Sequence, residues 1–166
     1  MRGFTLIETL VAITVLTMVI IGPLSLAAKS IGASLVSQNQ ITAFYLGQEA
    51  LEYITNVKDN NFLQSNDWLN GLNQCFGASG CYVDIPNNII NSCGGACPKI
   101  KYDESGGFYY NYQTGQDTIF IRRVKVSKIN IGGAQDEAQI EVMVQWPEKF
   151  GGQKSFTLQK DIFNWK

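Results

Sequence analysis

Phe4 to Ala28 reads FTLIETLVAITVLTMVIIGPLSLAA. Seventeen of these twenty-five residues are apolar and one is charged, and a helix needs roughly 20 such residues to cross a hydrocarbon core. A secretory signal peptide fits less well, although Ser25-Leu26-Ala27 loosely resembles a small-x-small cleavage site. A signal h-region is typically about 7–15 residues with its charge ahead of it, whereas this run is longer and holds Glu8 inside. A lone carboxylate in a spanning segment costs at least about 2.5 kcal/mol and marks a functional residue by default. The nearest cation along the helix, Lys29, lies twenty-one residues on, about 30 Å away. The partner of Glu8 therefore comes from another chain or a free α-amino group, unless Glu8 snorkels to water near the membrane surface.

The rest of the 166-residue chain is ordinary by contrast. Thirteen basic and fourteen acidic residues give a net charge of -1, so this is not a general electrostatic nucleic-acid binder. Histidine is absent, which excludes His-based triads and His-ligated metals. Between Gly3 and Val57 the charged residues are Glu8, Lys29, Glu49 and Glu52, so the low charge content is concentrated at the front. Beyond Ala28 the pattern turns amphipathic. Leu46, Ala50, Ile54 and Val57 line one helix face, with Glu49, Glu52, Asn56 and Lys58 on others. The spacing predicts one long helix from about Thr5 to Lys58, broken or bent at Gly22 and Pro23 and stopped by Asp59-Asn60-Asn61.

The motif Gly3-Phe4-Thr5-Leu6-Ile7-Glu8-Thr9-Leu10-Val11-Ala12-Ile13 resembles the class III signal of type IV pilins and type II secretion pseudopilins. The resemblance implies that a prepilin peptidase cuts between Gly3 and Phe4 and that Phe4 is then N-methylated. It also implies that Glu8 pairs with the N-terminal amine of a neighbouring subunit during assembly. Gly22-Pro23 stands slightly before the position where the family's first helix commonly carries proline. Leu46 to Ile54, Arg122-Arg123 and Val142 to Trp146 are similar to the minor branch that includes PilV and GspI. The implied fold is α+β: a long N-terminal spine helix packed on a C-terminal antiparallel meander of three to four strands.

The chain accordingly divides into a leader (1–3), a membrane or filament-core helix (4–28), an amphipathic half-helix (29–58), a cysteine-containing loop (59–117) and a sheet (118–166). In the sheet, Ile140, Val142, Val144 and Trp146 alternate with polar partners, and Phe156, Leu158 and Ile162 keep one parity. Ile119 and Ile121 are out of step with Val124 and Val126, which predicts a β-bulge at Arg122-Arg123. Arg122 and Lys128 are then expected on the exposed face of a solvated edge strand, with Arg123 and Lys125 nearby. In the loop, Cys81 to Ile85 and Phe108 to Tyr112 read as short strands.

Cys75, Cys81, Cys93 and Cys97 are expected to form disulfides, because their spacing falls outside the usual Cys₄ zinc pattern and an exported domain is disulfide-permissive. Two local rings, Cys75–Cys81 with Cys93–Cys97, and a nested hairpin about Pro86-Asn87-Asn88 both remain open. Asp103-Glu104 and Asp136-Glu137 read as solvated turns; a calcium site there is conceivable but lacks an EF-hand pattern. No cofactor or metal is called for, and no catalytic residue: nothing places a nucleophile beside a base, so the chain does not read as an enzyme.

The resemblance implies a minor pilin or pseudopilin. Its partners are other pilin subunits, prepilin peptidase, the inner-membrane assembly platform and the membrane itself, with nucleic acid not expected. It starts as a single-pass protein of the inner membrane with its N-terminus inside, then joins an extracytoplasmic filament. The alternative is a membrane-anchored or tip-located binding module whose head recognises DNA, a surface or a secreted substrate.

Overall fold

A computed structural model describes residues 5–164 apart from 106, 108, 132, 133, 149 and 150. The order is a helix α1 (Leu6–Leu63), a 3₁₀ turn (Asn73–Cys75), and strands β1 (Cys81–Asp84), β2 (Ile89–Ser92), β3 (Lys99–Asp103), β4 (Tyr109–Asn111), β5 (Gln116–Ile131), β6 (Ala134–Pro147) and β7 (Gln153–Phe163). The chain forms two compact units, residues 1–41 and 42–166.

In the first unit the described residues are helical from Leu6 onward, and nearly all are exposed. Its hydroxyl side chains bond back along the helix: Thr9 to the Leu6 carbonyl, Thr14 to Val11, Thr17 to Thr14 and Ser25 to Gly22, at 2.8–2.9 Å. That local bonding is what lets Thr and Ser sit in an apolar helix without unsatisfied groups. The helix is not broken at Gly22-Pro23, where a break or a bend was expected: Pro23 lies inside an uninterrupted helix. Proline removes one N–H from the ladder, and many turns on either side hold the helix across that loss. The helix also runs past Asp59-Asn60-Asn61 to Leu63. Those side chains bond locally, Asn60 to Asn56 and Asn61 to the Asn70 carbonyl, which suits a helix end reached five residues late.

In the second unit Ala43, Leu46, Gly47, Ala50 and Ile54 form the buried stripe of the helix. They pack in two clusters. Ala50 and Ile54 meet Val124, Val126, Ile140 and Val142, with Trp68, Leu69 and Leu72 from the segment after the helix. Ala43 and Leu46 meet Ile100, Phe120, Val144 and Trp146. Each such aliphatic side chain contributes about 1.5–3 kcal/mol when fully buried.

The sheet is antiparallel and seven-stranded, larger than the expected three to four strands. The meander β5-β6-β7 is as expected, with Val124 opposite Val142 and Val142 opposite Leu158. The other four strands come from the cysteine region. β1 lies against β5 at Val124 and β3 against Gln116 to Ile121, while β2 and β4 form hairpins on β1 and β3. β5 is therefore a central strand, not the solvated edge that was expected. The bulge predicted at Arg122-Arg123 is absent: the β5–β6 register runs unbroken from Ile121 to Ile129. Phe120, Arg122, Val124 and Val126 all face inward, and Ile119 is exposed. The parity never slips; an arginine occupies a core position. An irregularity does occur nearby, in the β3–β5 ladder between Lys99 and Lys101.

Candidate functional site

The N-terminal element is built from Glu8 and the apolar surface behind it. Gly3 and Phe4 lie outside the described residues. Glu8 sits in the first helical turn, its backbone N–H donating to the Thr5 carbonyl at 3.0 Å. Among the described residues no cation pairs with it. Leu6, Ile7, Leu10, Val11 and Ile13 around it are 55–80% exposed, and so are most large apolar residues onward to Ile41. By length and composition this helix can cross a membrane. A surface this apolar is far larger than the patch a soluble monomer tolerates, and needs lipid or other chains to cover it.

The head centres on a buried cation. Arg122 is 1% exposed. Its guanidinium donates to the Leu46 carbonyl at 2.9 Å, to Glu49 Oε2 at 2.9 Å and to the Val83 carbonyl at 2.6 Å. One side chain thus ties α1, β1 and β5 together. The Tyr112 ring lies against the same cation, 5.9 Å from Cζ to centroid. Burial pushes the Tyr112 phenol up from its ordinary value near 10; Arg122 opposes this, and Asp84 and Glu49 add to it. Asp84, also buried, accepts from Asn87 Nδ2 at 3.0 Å and from the Tyr112 N–H at 3.4 Å. Glu49 reaches the surface at an open cleft of about 450 Å³ that Tyr45, Glu52 and Tyr110 also line.

The basic residues of β5 therefore do not form one patch. Arg122 is internal, Arg123 and Lys125 face the other way, and Lys128 lies over the Phe76 ring at 4.5 Å. Asp103 is likewise not a solvated turn residue: it is 7% exposed. It accepts from the Ser105 N–H at 2.9 Å, the Ser105 hydroxyl at 2.8 Å and Thr114 Oγ1 at 2.6 Å, and so holds two turns together. Among the described residues no three of the His, Cys, Asp and Glu side chains gather to hold a metal.

The cysteines form two local rings, Cys75–Cys81 and Cys93–Cys97, rather than the nested pair. Cys75–Cys81 joins the 3₁₀ turn to β1 inside the core, and Cys93–Cys97 closes the connection from β2 to β3. The structure adds Arg122, Asp84 and Tyr112 to the residues that matter. The even parity of Phe120, Arg122, Val124 and Val126 was the available signal for the first of them.

Residues 1–22 match the family model described as the prokaryotic N-terminal methylation motif. That segment carries the class III signal of type IV pilins and pseudopilins. No curated protein and no solved structure matches the chain.

Proposed function

We propose that a chain with this signal is a minor pilin or pseudopilin: a structural subunit of a type IV pilus or a type II secretion-like filament. The methylation motif over residues 1–22 is the observation that carries the reading. It supports processing by prepilin peptidase after Gly3, methylation of Phe4, and assembly with other subunits of the same kind. The α+β layout of one long helix followed by an antiparallel sheet agrees with it.

The mechanism follows from the solvent of the first helix. Before assembly the helix is a single membrane span with the N-terminus inside, and Glu8 is a carboxylate in or near lipid without a partner on its own chain. In the filament, neighbouring helices replace lipid around Leu6 to Ile41. The α-ammonium of an adjacent subunit, exposed once the leader is removed, pairs with Glu8. An unpaired charge in that setting penalises wrong registers, so the pair sets the axial stagger between subunits. The sheet domain stays outside the helical core, and the inner-membrane assembly platform moves the subunit between the two states. The reading as a minor rather than main subunit rests on the likeness of Leu46 to Ile54, Arg122-Arg123 and Val142 to Trp146 to the PilV and GspI branch.

Glu8 substitutions test this. Glu8→Ala and Glu8→Gln leave insertion and cleavage intact, since both make the helix less charged and the cut lies upstream. Both lower the fraction of the chain found in sheared filaments relative to membranes when the other subunits are wild type. Wild-type incorporation of both variants overturns the role of Glu8.

A further inference from the structure

We propose that the Cys93–Cys97 bridge is a thiol–disulfide exchange site, and that Cys75–Cys81 is closed to the same chemistry. Exchange needs a thiolate to approach one sulfur along the S–S axis, so access decides which of two bridges reacts. The two bridges differ sharply in access. Cys75 and Cys81 are 0% exposed and belong to the main core cluster. Cys81 opens β1, with Ser92 opposite on one side and Val124 on the other. The backbone beside it has no slack: at Gly80, with φ +66°, an added Cβ would stand 2.5 Å from the Val124 carbonyl oxygen.

Cys93 and Cys97 are half-buried instead, at the tip between β2 and β3. Within their ring, Gly94 and Gly95 take φ +63° and +145°, and a Cβ on either would meet nothing within 4 Å. The Gly94-Gly95 side of the ring therefore faces open space. Its opening is also local. The Cys93 N–H donates to the Gly80 carbonyl at 3.0 Å, and the β1–β2 and β3–β5 ladders do not run through the ring. Losing the bridge frees residues 94–98 and leaves the sheet in place.

The fitting co-reactant is a dithiol, either a small reagent or the paired thiols of an oxidoreductase outside the cytoplasm. One of its thiolates attacks Sγ of Cys93 or Cys97, forming a mixed disulfide and releasing the other cysteine as a thiolate. The second thiol of the reagent, as its thiolate, attacks the mixed disulfide and releases the remaining cysteine. The dithiol ends oxidised to a disulfide, and the bridge ends reduced by two electrons to two thiols, with the reagent's two protons distributed between them and solvent. This reading stands whether or not the chain joins a filament.

The test treats the full chain in detergent micelles with dithiothreitol, quenches with an alkylating reagent at successive times, and cuts before Asp84, which separates the two pairs. The expected result is labelling of Cys93 and Cys97 at least about tenfold faster than Cys75 and Cys81, with unchanged far-UV circular dichroism. Equal rates, faster labelling of Cys75 and Cys81, or no labelling of either pair before urea is added each overturn the proposal. The double variant Cys93→Ser with Cys97→Ser must also fold and keep Cys75–Cys81 resistant; its unfolding overturns the claim that opening is local.

Discussion

Arg122 is where residue-level chemistry holds the head together. Its two buried carbonyl acceptors, on Leu46 and Val83, have no water to replace it, while its carboxylate partner Glu49 keeps 41% of its side chain exposed. Arg122→Ala is therefore expected to cost about 3–5 kcal/mol in urea unfolding of the solubilised chain. Arg122→Lys recovers little of this, because an ammonium cannot fork to both carbonyls. Glu49→Ala costs clearly less, since Glu49 can be hydrated and the carbonyls keep their donor. Tyr112 gives a pH prediction. Its folded-state pKa is raised, by burial first, above that of the unfolded chain. Above about pH 10 the unfolded state then binds fewer protons, so stability is full below that pH and falls as pH rises through it. Melting temperature measured from pH 9 to 11 should drop, and Tyr112→Phe should flatten the drop. The phenylalanine variant should lose little at pH 7, because the hydroxyl makes no well-formed hydrogen bond among the described residues. Of this, the sequence marks only the even parity that Arg122 shares with Phe120, Val124 and Val126; its partners on Leu46, Glu49 and Val83 carry no such mark. Arginine is rarely buried, so the sequence reads Ile119 and Ile121 as the core pair and Arg122 as solvated, whereas Ile119 is exposed and Ile121 half-buried.

At the scale of elements, the legible parts were those with a sustained period. The stripe Leu46, Ala50, Ile54 and the alternation from Ile140 to Trp146 both describe one buried face, and both are present. β2 and β3 were missed because Ile89–Ser92 and Lys99–Asp103 are short and bury little on a regular period. β2 pairs with β1 across a short turn, and β3 pairs with β5 about twenty residues further on, so neither shows as a period of its own. Gly47 tests the helix–sheet contact directly. A Cβ there would meet Leu158 Cδ1 at 3.1 Å, with Val144 Cγ2 at 3.8 Å. Leu158 is only half-buried and its end can move, so Gly47→Ala is expected to be near neutral, with the helix propensity gain of about 1 kcal/mol offsetting the contact. Gly47→Leu has no such room and should cost about 1–3 kcal/mol. Thermal unfolding of the two variants separates them; equal losses would mean the helix does not approach the sheet this closely.

For the whole molecule, the question is which solvent covers the first helix and, on the function proposed above, whether a neighbouring chain end pairs with Glu8. The apolar surface from Leu6 to Ile41 makes sense only beneath lipid or neighbouring helices, and it begins within the segment that matches the N-terminal methylation motif; the proposed cut lies just ahead of it. This part was legible because a spanning run with an internal carboxylate is a strong one-dimensional pattern. Whether the head binds anything was not, because a surface without a repeating pattern carries no such mark. Intact-mass analysis of the chain recovered from sheared filaments tests the central claim most directly. The account predicts a chain that begins at Phe4, lacks Met1 to Gly3 and carries one added methyl at its new amino terminus. A filament-associated chain that begins at Met1, or one that begins after Ala27 with the helix removed, would contradict it.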